Sequence, residues 1–404
     1  MAELTTAPDD SATHWLTEER IRVYSLMMVV IFGIGFIALI AVSLPNLVDP
    51  RGKPFGYDFM AFWSAARLAL AGHPDAAFNA DAISAVQHAA VPALPNIWFP
   101  WHYPPTCLLA VLPLGLLPYP AALAAYLTGS CALWGMFIRR LFADPRAWLA
   151  AAATPAGLLN LFDGQNAFLT AALAGFALLL LDRRPIAAGV LIGLLAIKPH
   201  LAVLFPIALV AGGYWRSFAA AAVTLALLVA TSIAVFGADA MAAFVAHLSV
   251  SQGMADHGAV PWAWMPSVYV LGLSLGAAPG MAELAQGTVA LAAAVCVWRA
   301  WHRTTAAFEV KAAVLLAASL LVSPYLFTYD QTWVAVAIGF LAILGIRDGF
   351  RRGERDLLFV AWLAPLAFVP VYWLAGVQIG CVATALPIVA ALRRLNAEPY
   401  AAPR

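Results

Sequence analysis

The run from Ile21 to Leu44 carries one charge, Arg22, and comparable apolar runs follow it almost to the C-terminus. A span needs roughly 20 apolar residues to cross a hydrocarbon core of about 30 Å, so this first run is long enough to cross. Of the 404 residues, 63% are hydrophobic and 11% charged, which is more apolar surface than a soluble domain can hide. The expected fold is all-α, a polytopic membrane protein with about twelve transmembrane helices and interfacial helices on the outer face. No length remains for a separate soluble domain, so residues 1–404 are expected to form one membrane domain.

Residues 1–21 are polar and include Asp9, Asp10, Glu18 and Glu19, unlike the short basic leader of a cleaved signal peptide. The first run is therefore expected to remain as an uncleaved anchor. The longest polar stretch follows, 46–103, with an amphipathic piece near Asp75–His88 and a Pro-rich approach from Val91 to Pro105. Thr106–Leu117 is apolar but short and bounded by prolines, so it is expected to dip into the membrane without crossing. Further spans are expected at 120–138, 147–162, 166–181, 185–198, 200–213, 216–236, 281–299, 309–323, 326–346, 356–374 and 376–393. A second large outer loop is expected at 237–280, with the aromatic sequence Pro261-Trp262-Ala263-Trp264-Met265-Pro266.

Cytoplasmic loops collect Lys and Arg. With the N-terminus inside, Arg20, Arg22, Arg139, Arg140, Arg146, Arg183, Arg184, Arg216, Arg299, Arg303, the run Arg347–Arg355, Arg393 and Arg394 all fall inside. Counting Thr106–Leu117 as a span would invert every later loop. The abundance of Ala, and of Arg over Lys, points to a G+C-rich bacterial genome and so to a bacterial inner membrane.

The polar groups left on the outer side are unusual, because ionisable groups near hydrocarbon are costly and tend to mark sites. Asp58 follows Tyr57 where the segment Gly56–Arg67 begins a helix. Its Phe59, Phe62, Trp63 and Ala66 make an apolar stripe expected to lie on the membrane surface. Asp58 is either the N-cap of that helix or a general base for a hydroxyl, and the two roles can coexist. Lys198, ending the run Ile186–Ile197, either snorkels to the headgroups or holds a lipid phosphate, with His200 and Arg67 as helpers. Gln165 and Asn166 offer amides suited to sugar hydroxyls, with Asp163 as an acceptor for them, or they are plain turn residues. His102 and Tyr103 orient a substrate or belong to an aromatic belt. Tyr325, Tyr329 and Asp330 are equally open, and His247 and His257 in the outer loop either reach a substrate or stay solvated.

Absences narrow the chemistry. A net charge of +1 argues against nucleic acid, and Cys107, Cys131, Cys296 and Cys381 stand singly, with no metal-site spacing. The chain has no Gly-rich phosphate loop, no His-Glu-x-x-His and no Asp-x-Asp, so a nucleotide sugar is not the expected donor. No cofactor and no metal are expected.

Asp58-Phe59 with Trp63-Ser64-Ala65-Ala66, Tyr103-Pro104-Pro105, Gly164-Gln165-Asn166, Lys198-Pro199, and Ser323-Pro324-Tyr325 through Tyr329-Asp330 run in one order along the chain. As a set they resemble glycosyltransferase family 87, the polyprenol-phosphate-mannose-dependent mannosyltransferases. The resemblance implies a class C glycosyltransferase fold, a polyprenyl-phosphate sugar donor, a lipid or glycan acceptor, and Asp58 as the catalytic carboxylate in the first outer loop. A sugar on a phosphate already has a good leaving group. Transfer then needs one base for the acceptor hydroxyl and one cation for the departing phosphate. Direct displacement would invert the anomeric centre. The rival readings are a transporter or flippase for a polar lipid or small solute, a surface-polysaccharide ligase or polymerase, and an inactive lipid-binding protein. The outer clustering of polar groups and the lack of an internal repeat weigh against the transporter.

Overall fold

The computed structural model describes residues 14–396 and, among them, an all-helical fold without a β-strand. The polar lead 1–13 and the end 397–404, both expected on the cytoplasmic side, lie outside the described residues. Helix α1 (Glu18–Ser43) starts where the Thr17 hydroxyl accepts the Arg20 backbone N–H, with Glu18 and Glu19 at the positive end of its dipole. Only Ser25 and Ser43 of this helix are buried, so its apolar side chains face outward, where lipid would cover them.

The stretch 46–103 folds into a packed layer of α2 (Phe59–Leu70), a 3-10 turn at Asp75–Phe78 and α3 (Ala80–Ala90). The Gln87 amide clamps the approach to the next helix, donating to the Phe99 carbonyl at 2.8 Å and accepting the Phe99 N–H at 2.9 Å. The expectation for α2 is corrected here. Every residue from Phe59 to Ala66 is buried, so the helix is enclosed rather than laid on a membrane surface by one stripe. Small residues opposite the aromatics, Ala61, Ser64 and Ala65, let neighbours close in on that side too.

The chain continues through α4 (Pro105–Val111) with a 3-10 turn to Leu116, α5 (Tyr119–Leu141), α6 (Arg146–Ala152), α7 (Pro155–Asp163), α8 (Ala167–Leu180), α9 (Pro185–Leu194) and α10 (Phe205–Ala211). Then come α11 (Trp215–Asp256), α12 (Val268–Ser274), α13 (Pro279–His302), α14 (Phe308–Val322), α15 (Thr332–Asp348), α16 (Glu354–Leu363), α17 (Pro365–Ala375) and α18 (Gly380–Leu395). Each expected span falls on one of these helices or on a broken pair. By length and composition, α1, α5, α11, α13 and the stretch 328–348 can each cross alone, and α16 with α17, bent by 68°, makes a sixth. A count of twelve is not reached on this measure. The expected span 147–162 breaks where proline cannot continue the hydrogen-bond ladder, at Thr154-Pro155, and Lys198-Pro199 separates the spans expected at 185–198 and 200–213.

At the centre lies α14, buried at Val310 and from Ala312 through Leu321 and packed by α13, α15 and α18. A helix apolar all round belongs in such a position. Gly189 and Gly193 bring α9 against the backbone of α11, the close approach that small residues permit in membrane helices.

The stretch 237–280, expected as a second large outer loop, is largely helical. Helix α11 runs on to Asp256 past a bend at Gly237, whose φ of 81° and ψ of 164° no helix contains. Beyond it, the buried Gln378 donates to the carbonyls of Trp262 and Ala263 at 3.0 and 2.7 Å, tying the aromatic sequence down.

Charge separates the two ends of the bundle. At one end Arg146 meets Glu18 at 3.4 Å, Arg347 meets Glu309 at 2.6 Å and Arg394 meets Glu354 at 2.5 Å. The other end holds the 46–103 layer and three turns rich in polar groups, α7–α8, α9–α10 and α14–α15.

Candidate active site

Asp58 stands at the N-cap position of α2, yet its side chain makes no capping hydrogen bond. Its carboxylate instead accepts from Gln165 Nε2 at 2.9 Å. Backbone holds the two segments in place: the Asp58 N–H donates to the Asp163 carbonyl at 3.1 Å. Between them Gly164 has φ +60°, and a Cβ there would sit 2.6 Å from the Gly56 oxygen. Only glycine suits that combination of left-handed backbone and close approach.

Gln165 has a settled orientation. Its Oε1 accepts from the Tyr103 hydroxyl at 2.9 Å and from the Asn166 N–H at 3.1 Å, so its NH2 must face Asp58. The expectation that Asp163 accepts from these amides is therefore corrected for Gln165, whose amide serves Asp58. The following helix is held by Asn160, whose Oδ1 accepts the Ala167 N–H at 2.8 Å.

Lys198 is 3% exposed and does not snorkel. Its Nζ lies 2.6 Å from Asp330 Oδ1 and 3.5 Å from Asn166 Oδ1, and it sits over the Tyr329 ring at 4.8 Å and the Tyr103 ring at 6.0 Å. Asp330 is itself fully buried and accepts the Phe327 N–H at 3.3 Å. A buried charge requires such a partner. Thr106 donates to the Ala196 carbonyl at 2.7 Å and anchors the start of α4 beside this turn.

Asp58, Tyr103, Gln165, Asn166, Lys198, Tyr329 and Asp330 are thus drawn into one connected cluster. The other expected residues are not. The Tyr57 hydroxyl donates to Asp49 at 2.6 Å, turned away from the cluster, and Arg51 donates to it. Arg67 reaches the Gly115 carbonyl at 3.2 Å and the Trp63 ring, nine residues along α2 from Asp58. His102 pairs with Ser251 Oγ at 2.8 Å and with His247 Nε2 at 3.2 Å on α11. Burial, and then His247, push His102 down to about 4, so it is neutral near pH 7. His257 bonds the Gly253 carbonyl at 2.8 Å in an exposed position, and Tyr325 packs on the outer cluster of Met265 and Tyr269. His200 lies two residues from Lys198, its Nε2 buried without a partner.

Burial raises the Asp58 carboxyl above its ordinary value, while the Gln165 amide and the Lys198 ammonium pull it back. Asp163, part-buried beside it, is raised well above the carboxylate range by burial and then by the charge of Asp58. Of these two neighbouring carboxyls, Asp163 is thus the one pushed further toward its protonated form. Burial likewise keeps the Tyr103 phenol protonated, as a donor to Gln165. Sequence reasoning gave Asp163 only as an acceptor for the neighbouring amides and did not choose Asn160. Asn160 was findable as a lone amide inside an apolar run.

Comparison with curated proteins and with solved structures gives no match. The model of glycosyltransferase family 87 matches residues 101–324, a stretch that includes Tyr103, Gln165, Asn166 and Lys198 and lies between Asp58 and Asp330. That match covers more than half of a chain whose apolar helices suit a membrane, and the chain belongs to glycosyltransferase family 87.

Proposed function

We propose that this membrane glycosyltransferase moves a hexose, mannose by its resemblance to the family, from a polyprenyl-phosphate donor to a hydroxyl of a lipid-linked or glycan acceptor. Asp58 takes the proton of the acceptor hydroxyl, the freed oxygen bonds to the anomeric carbon, and the bond from that carbon to the phosphate oxygen breaks. The electron pair leaves with polyprenyl phosphate, and the sugar centre is inverted. Lys198 meets the phosphate charge. An ammonium has three N–H donors; Asp330 and Asn166 take two, and the third is free for a phosphate oxygen. Asp330 keeps that ammonium positioned while the site is empty. We assign the reaction to the periplasmic face of a bacterial inner membrane, a reading supported by the cluster lying at the end of the bundle opposite most of the arginines.

The observation that carries this reading is the single chain of contacts from Tyr103 through Gln165 to Asp58, with Asn166 next in sequence touching Lys198. It supplies one base and one cation, the minimum that the transfer needs. The test is mass spectrometry of lipid-linked glycans after incubating the purified full chain with polyprenyl-phosphate mannose and membrane extract. A hexose gained by an acceptor is expected. No gain with this donor would reject the donor assignment.

A further inference from the structure

A cavity of about 260 Å³ lies between the α4 segment and α5, lined by Val111, Leu114, Gly129, Leu169 and Ile197 and closed at one end by Asn166. Its walls are mostly apolar, with hydroxyls only at Tyr126 and Ser130, and its rim at Pro113 and Gly129 is exposed on the flank of α5, a helix long and apolar enough to cross the membrane. Its inner end touches the candidate site twice. Ile197 precedes Lys198 in the chain, and Asn166 carries the Oδ1 that stands 3.5 Å from Lys198 Nζ. Asn166 is 3% exposed, and its Nδ2 has no hydrogen-bond partner. A buried amide with both donors unspent calls for an acceptor that is absent from the protein itself.

We propose that this groove receives the first isoprene units of the donor's polyprenyl chain, sideways from the bilayer, with a phosphate oxygen accepting from Asn166 Nδ2 at its inner end. The inference rests on the donor assigned above. A lipid phosphate carries its chain one ester bond away, so the chain must leave the site beside the group that holds the phosphate. In a direct displacement the attacking and departing oxygens lie on opposite sides of the reacting carbon. Asp58 marks the attacking side and Lys198 with Asn166 the departing side, and the groove opens from the departing side. It therefore suits the donor's chain rather than the acceptor's.

Gly129 provides the test, since a Cβ at that position meets no atom within 4 Å. Gly129→Phe should fold and fill the groove. Turnover would be compared for polyprenyl-phosphate mannose and for an analogue with a methyl group in place of the polyprenyl chain. Burial of apolar chain is worth about 0.8 kcal/mol per CH2, so the fall in kcat/KM is expected to be at least about tenfold larger for the polyprenyl donor. An equal fall for both donors, or none for either, would overturn the groove. A sugar-free polyprenyl phosphate carrying a diazirine separates this claim from the donor assignment. In the parent protein it is expected to label peptides spanning 107–114 and 125–133, with competition by polyprenyl phosphate and not by phosphatidylglycerol. Labelling without sugar transfer would keep the groove and reject the transfer reaction. Labelling competed equally by both lipids would make the groove a general lipid contact and reject the inference.

Discussion

Asp58 serves as a base only while ionised, and ionisation in its part-buried position costs stability. The folded protein holds that proton more tightly than the unfolded chain, because burial raises the carboxyl above its ordinary 3.8. Stability contributed by this group is thus present below that value and falls as pH rises through the folded pKa. Asp58→Asn removes the penalty and loses no cap. The variant is expected to melt higher than the parent at pH 7 and to transfer sugar roughly 10² to 10⁴ times more slowly. Melting curves at pH 4 and pH 7 with turnover check this, and transfer within about tenfold of the parent would remove Asp58 from the reaction. Lys198 needs a different design. Lys198→Ala strands Asp330, a loss of about 3–5 kcal/mol that would mask any effect on donor binding. Replacing the pair together, Lys198→Met with Asp330→Leu, is expected to leave the melting temperature near the parent's and to weaken donor binding about tenfold to a hundredfold. Undiminished affinity would make the pair structural. Asp58, Tyr103, Gln165 and Lys198 were legible as polar interruptions of apolar chain. Their partners were not, since Gln165 lies 107 residues from Asp58 and Asp330 lies 132 from Lys198, distances over which local pattern carries no information.

Among the elements, the positions of the helices were readable from apolar runs, and the prolines at the turns mark where those runs break. Two errors share a cause. The one-sided stripe in α2 suggests a surface helix, and 237–280 reads in the sequence as a loop; in both, packing against distant segments decides the outcome. The turn that joins α7 to α8 is the element on which the site depends. Gly164→Ala forces a left-handed backbone on alanine and drives a Cβ toward the Gly56 oxygen. Such strain costs about 1–3 kcal/mol, and the shift it compels moves Gln165 away from Asp58, so melting temperature and transfer should fall together. Gly164→Asn separates the two causes, because asparagine tolerates the backbone and not the contact. Recovery in the Asn variant would assign the effect to backbone alone.

For the whole molecule, the collection of most arginines at one end, Arg51 and Arg67 excepted, predicts a topology. A cysteine introduced at the exposed Asp75 is expected to react with a membrane-impermeant thiol reagent in intact cells. Labelling only after permeabilisation would reverse the orientation and move the reaction to the cytoplasmic side. The buried Lys198–Asp330 pair has a further consequence, for the way the protein is made. Lys198 leaves the ribosome 132 residues before its partner is synthesised. Until then its ammonium lies in a nascent bundle without the carboxylate that it bonds in the finished fold, and charge without a close partner is expensive at membrane depth. The α14–α15 connection therefore completes the fold late, and a chain that stops short of Asp330 leaves Lys198 without its ion-pair partner.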